Sequence, residues 1–292
     1  MQDAFIIAKC GVPNGSAPIN DTYYELDIGR EGIIYSIGKE NIVTKDNFDI
    51  VILNGRPAAG KSEIIDYLKH LSIEERLRRF HIGEFEEIDD FPILWDRYED
   101  DNIFEMLGQK RLFTDTFFEF EGQRYPGFTF REDFFWNYLI EKLNQAYAKK
   151  IRDDDKFHEP KTAIIEFSRG AEHGGFQRAY DHLADEILKR AVTIYINVSF
   201  AESLRKNRRR FNPDRPDSIL EHSLEDKKLE KLYKASDWPE FSSRDPQFLH
   251  VRNIKIPYAV FNNEPEITDK PEILGACLEE ICQRLWRIKY QE

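Results

Sequence analysis

Five short runs dense in aliphatic, β-branched and aromatic residues punctuate the chain, at 48–53, 79–88, 162–167, 192–198 and 256–261. Between and after them, the stretches 61–71, 131–149, 176–190, 201–210 and 271–288 read as helices. A mostly apolar run of strand length, flanked by helices, reads as a strand covered on both faces, the habit of parallel sheets. The alternation predicts an α/β fold: a parallel five-stranded sheet with helices on both faces, its ligand beyond the carboxyl ends of the strands. Asp269 followed by Pro271 suits the start of the last helix, since proline fits where no backbone donor is needed.

Two segments stand outside this pattern. Residues 1–45 carry Gly, Pro and Asn among short β-like pieces at 23–28 and 32–37, which predicts a small β-rich N-terminal appendage of unassigned role. The remaining 46–292 read as one domain with an aromatic-rich insertion at about 91–150, where rings such as Phe91, Trp95, Tyr98 and Phe130 cluster. A chain of 292 residues can bury such a core without a disulfide or metal staple.

Charge and cysteine usage narrow the classes. A formal net charge of −12 argues against a general nucleic-acid face, which needs surplus Lys and Arg. Cys10, Cys277 and Cys282 are odd in number and lack metal-ligand spacing, so they read as ordinary, mostly buried thiols of a reducing compartment. No apolar span approaches the length of a membrane helix, and no signal peptide opens the chain. The expectation is a cytoplasmic protein with neither membrane nor nucleic-acid partner, its oligomeric state open.

The sharpest chemical signal is Gly55-Arg56-Pro57-Ala58-Ala59-Gly60-Lys61-Ser62, a complete G-x-x-x-x-G-K-[ST] motif between the first apolar run and the first helix. Its glycines let backbone N–H groups converge on an anion, and the following helix adds its positive N-terminal end. Lys61 is then expected to reach the β- and γ-phosphates of a nucleoside triphosphate, and Ser62 to offer its hydroxyl to magnesium.

With that loop in place, residues 46–290 are similar in order and spacing to the P-loop kinases of small molecules, the group of nucleoside, nucleotide and metabolite kinases. The resemblance implies a P-loop NTPase fold and further site residues. In its alcohol kinases the second strand ends in an acidic element that meets the acceptor hydroxyl. Here Ile88-Asp89-Asp90-Phe91 looks like it, with Asp89 the first choice for the base and Asp90 the second. Glu166, ending the third strand, resembles the acidic residue that binds magnesium or its waters, and Arg169 follows it more loosely. A basic run after the fourth strand stands where these kinases carry a mobile lid, at about 200–235. Arg205 and Arg209 share one helical face there and would stabilise the phosphoryl group in flight. Asn262 and Asn263 follow the last strand, where the adenine lies in related kinases, although Asn is also a common turn former.

The reading is an ATP- and magnesium-dependent kinase of a small, nucleoside-like acceptor. Two alternatives stay open. A nucleoside monophosphate kinase would need pocket arginines such as Arg97, Arg111, Arg124 or Arg131 and no base. A regulatory ATPase would hydrolyse slowly and act through a partner.

Overall fold

A computed structural model describes residues 25–29, 32–36, 45–210 and 224–290. The chain divides into two units, Met1–Lys45 and Asp46–Glu292. In the first, β1 (Glu25–Gly29) pairs antiparallel with β2 (Gly32–Ser36), Glu25 standing opposite Ser36. The rest of the expected appendage, Cys10 included, lies outside the described residues.

The second unit opens with β3 (Ile50–Gly55), α1 (Lys61–Lys69), α2 (Ile73–Phe80), β4 (Glu84–Asp89) and α3 (Asp90–Met106). The hairpin β5 (Thr114–Phe120) and β6 (Gln123–Phe130) leads to α4 (Phe134–Asp153), β7 (Lys161–Phe167), α5 (Gly175–His182) and α6 (Asp185–Arg190). Then come β8 (Ala191–Asn197), α7 (Phe200–Arg210), α8 (Asp226–Tyr233), α9 (Trp238–Ser242), β9 (Phe248–Val251), β10 (Ile254–Asn262) and α10 (Pro271–Tyr290).

The main sheet runs β4-β7-β3-β8-β10-β9. The first five strands are mutually parallel, and β9 lies antiparallel on β10. The protein is therefore α/β with a mostly parallel sheet of six strands, one more than the five expected. β9 escapes the pattern because four residues are too few to show a period, and it returns directly into β10 through a tight turn with Arg252 at φ 52°.

Strand alternation accounts for the two cores. Ile50 and Ile52 of β3 face one side, packing with Leu143 of α4, Phe176 and Tyr180 of α5 and Trp238 of α9. Val51 and Leu53 face the other, with Ile64 and Leu68 of α1 and Leu278 and Leu285 of α10. Each apolar residue of a central parallel strand thus meets a helix whichever way it points. A third cluster, with Phe135 and Trp136 of α4 and Leu229 and Leu232 of α8, covers the end of the insertion.

Two expected boundaries shift. The run 79–88 starts as the end of α2 and becomes strand only at Glu84; Ser72 caps α2 by accepting the Glu75 N–H at 3.2 Å. The single helix expected at 176–190 is two, because Leu183 and Ala184 adopt extended backbone between α5 and α6. Cys282 is buried and Cys277 half-buried, both as free thiols.

Candidate functional site

The loop 55–62 is shaped by contacts that only small residues allow. A Cβ on Gly55 would lie 2.9 Å from the Ile196 carbonyl oxygen. Gly60, at φ 121°, would put one 2.7 Å from Asn263 Nδ2. Three anchors then hold the loop: Pro57 O accepts from Ser203 Oγ at 2.8 Å, Ala59 O from Asn263 Nδ2 at 2.7 Å, and the Arg56 guanidinium donates to the carbonyls of Val198, Tyr233 and Lys234. The half-buried Lys61 leads α1 and donates from Nζ to Ser168 Oγ at 2.8 Å, while Ser62 beside it is exposed.

Both expected adenine-side residues bond to the protein itself. Asn263 is wholly buried, and its amide is used up on Ala59 O, Thr268 Oγ1 and the N–H groups of Ile267 and Thr268. It supports the loop from behind. Asn262 is exposed and accepts from Asn197 Nδ2 at 3.0 Å. Neither lines a cleft at the loop.

The β4–β7 register sets Asp89 directly opposite Glu166. The two carboxyls stand beside each other at the carboxyl edge of the sheet, Glu166 on the strand next to β3 and the glycine loop, Asp89 one strand further out. Asp89 also caps α3, with Oδ1 accepting the Phe91 N–H at 3.0 Å; among the described residues its other oxygen accepts no hydrogen bond. Burial, then the charge of Asp90, raises the Asp89 pKa from 3.8 to about 6, against the pull of Lys61. Burial, then the charge of Asp89, raises Glu166 from 4.5 to about 7. Glu166 is only 6% exposed.

The sign of the pH effect follows. A carboxyl whose pKa is raised on folding binds its proton more tightly in the folded state. It stabilises most below the unfolded value, and that stability is lost as pH rises through the folded value. Without divalent cations, the chain is expected to lose stability between about pH 4 and 7, from the ordinary values of these two carboxyls up to their raised ones. The double variant Asp89→Asn, Glu166→Gln should flatten that slope in urea midpoints taken across the range. Parallel profiles for parent and variant would exclude the pair as its cause.

Asp90, though next in sequence, is placed differently. Its Oδ2 accepts from Arg169 Nη1 at 2.6 Å in a buried ion pair, and Arg169 spends its other donors on the carbonyls of Ser168 and Trp136. Burial raises the Asp90 pKa while Arg169 opposes it. This pair ties the start of α3 to the end of β7 and to α4.

Lys61, Ser62, Asp89, Asp90, Glu166, Ser168 and Arg169 line one cleft enclosing about 890 Å³, its open mouth included. Its lining includes Lys61, Asp89 and Glu166, Phe91, Tyr98 and Trp136 from the insertion, and Lys228 and Tyr233 from α8. Among the basic residues of α7, Arg210 lines this cleft, and Lys206, Arg209 and Arg210 line a second concavity against Ala58–Glu63. Arg205 lines neither. It is held by Glu202 at 2.6 Å and Glu266 at 2.9 Å, and Glu266 also takes Arg209 at 2.8 Å. Part of the lid region, 211–223, lies outside the described residues.

The four insertion arginines are engaged away from the cleft. Arg97 meets Tyr138 and Asp100, Arg111 meets Asp101, Glu105 and Thr114, Arg124 stacks on Phe117, and Arg131 meets Asp115. Ser168 and Lys228 were not among the expected site residues, and Arg210 was expected only as one member of the basic run. Ser168 follows a strand end and Arg210 closes the basic run, so both were open to inspection; Lys228 sits in a charged stretch that reads as solvated surface.

No family model and no curated protein matches the chain. Among solved structures it is similar to the crystal structure of APE1195, at 14% identity over 81% of this chain and 98% of that one, with a TM-score of 0.33. A likeness of that size carries no argument about fold or function. Among the described residues no helix is long and apolar enough to cross a membrane.

Proposed function

We propose that the chain is a kinase of the P-loop NTPase type, transferring the γ-phosphoryl group of ATP to a hydroxyl of a small, nucleoside-like acceptor. One juxtaposition carries the reading: an anion-shaped glycine loop with its lysine and a pair of raised-pKa carboxyls share the edge of one cleft. The aromatic residues of the lining suit a flat acceptor.

The donor set fits a magnesium ion. Ser62 exposes a hydroxyl at the head of α1, and the mutual repulsion of Asp89 and Glu166 is of the kind a divalent cation relieves. Among the described residues no three His, Cys, Asp or Glu side chains form a cage of their own, and magnesium is commonly held by one or two carboxylates together with substrate phosphates. When bound, the ion neutralises charge on the phosphate oxygens.

The chain's own residues supply the rest. The loop N–H groups and the start of α1 bind phosphate, with Lys61 held at the mouth by Ser168. Asp89, fixed through one oxygen by its α3 cap, can orient an acceptor hydroxyl with the other. A pKa of about 6 suits it to take the proton near neutrality. The monophosphate-kinase alternative loses support, because Arg97, Arg111, Arg124 and Arg131 are all committed elsewhere.

The deciding experiment incubates the protein with labelled ATP, magnesium and a pooled metabolite extract, then identifies the compound that gains phosphate. Asp89→Asn is expected to keep ATP affinity and lower transfer on the order of a hundredfold. Parent-level transfer by this variant would remove Asp89 as the base, and hydrolysis independent of any metabolite would favour the regulatory ATPase.

A further inference from the structure

Four lysines lie on or just after α8, and three are paired. Lys227 meets Glu230 at 3.0 Å, Lys231 meets Glu172 at 3.0 Å and Lys234 meets Glu230 at 2.8 Å. Lys228 differs. It shares the inward side of the helix with Leu229, Leu232 and Tyr233, is 6% exposed, and lines the cleft. Among the described residues its ammonium has no carboxylate within salt-bridge distance and no hydrogen bond; its contact is the Tyr98 ring, 5.7 Å away.

An unpaired ammonium held out of water is costly, so an uncompensated one facing a cleft marks where a ligand's charge can go. Burial pulls its pKa down to about 8, with Glu225 opposing, so the group is still cationic at neutral pH. Of the other charges that line the cleft, Arg210 is exposed to water, and the rest compensate one another. Asp90 and Arg169 neutralise each other, and Lys61 lies within the field of Asp89 and Glu166.

We propose that Lys228 is the anion-binding residue of the cleft: the acceptor is a flat-ringed compound that carries a carboxylate or phosphate against Lys228 and its ring between Phe91, Tyr98 and Trp136. This rests on the kinase reading for the word acceptor; the anion site itself rests on Lys228. Anion and ring together would fix the acceptor's direction, leaving its hydroxyl for Asp89.

The test titrates phenyl phosphate, benzoate and the neutral benzyl alcohol against the full chain by ligand-detected NMR, with Mg·ATP titrated separately. At least one anion should bind about tenfold more tightly than benzyl alcohol, and which anion is tighter distinguishes phosphate from carboxylate. Lys228→Met should abolish that preference, whereas Lys228→Arg, which keeps the charge, and Lys61→Ala should retain it. No preference in the parent, a preference surviving in Lys228→Met, or one lost instead in Lys61→Ala would each overturn the proposal. If Mg·ATP fails to bind while a Lys228-dependent preference persists, the anion site stands and the kinase reading falls.

Discussion

ATP with magnesium should raise the parent's melting temperature, and Lys61→Ala should lose most of that shift and lower phosphoryl transfer by about 10²–10³-fold. A ligand that binds only the folded state adds about 2.7 kcal/mol at a hundredfold excess over its dissociation constant, so the parent's melting shift is large enough to follow. The rate loss has the size found when one preorganised group facing developing charge is removed. Lys61 touches Ser168 and belongs to none of the apolar clusters, so the variant should melt close to the parent when no nucleotide is present. Equal ATP-induced shifts in variant and parent would remove the phosphate-loop reading, and with it the kinase.

The second large effect concerns stability. Asp90→Ala should cost about 3–5 kcal/mol, because it strands the Arg169 guanidinium, 2% exposed, without its counter-charge. The double variant Asp90→Ala, Arg169→Met should recover part of that loss, since it removes the second charge along with the first. Denaturant midpoints of the single and double variants make the comparison. If Asp90→Ala lies within about 1 kcal/mol of the parent, this ion pair is not what braces α3 against β7 and α4. On the proposed kinase reading, any transfer lost in Asp90→Asn would have to be separated from a loosened α3, whose cap is Asp89.

Legibility followed the range of the interactions involved. The succession β3, glycine loop and α1 could be read directly, because a buried strand, a tight turn and an amphipathic helix each leave a local pattern over fewer than a dozen residues. The parallel character of the sheet was legible for the same reason, since strands covered on both faces show continuous apolar runs. Elements with little local signature were lost. α2 carries five charged residues in eight, β9 has four residues in all, and within the insertion α3 and the β5–β6 hairpin showed only as a crowd of rings ahead of the legible α4.

At the cleft, residue type was visible but not role. Glycine, lysine and carboxylate positions could be named from spacing, yet which carboxyl is free to act depends on partners remote in the chain: Asp89 keeps an oxygen open, while Asp90 is taken by Arg169, 79 residues away. Asn263 likewise turned from a possible base contact into a buried support for Ala59, 204 residues back along the chain. Lys228 was the hardest case, since a lysine flanked by Asp226, Lys227 and Glu230 looks solvated until the packing of α8 turns it inward.

By itself the sequence determined the alternation of strands and helices and the phosphate-shaped loop, because apolar periodicity and the conformational freedom of glycine act between near neighbours. Only the tertiary structure decided the sixth strand, the facing of Asp89 and Glu166, the capture of Asp90 by Arg169 and the inward turn of Lys228. Those depend on strand register and helix packing, which join residues far apart in the chain and set burial, and with it the charge and reach of each group.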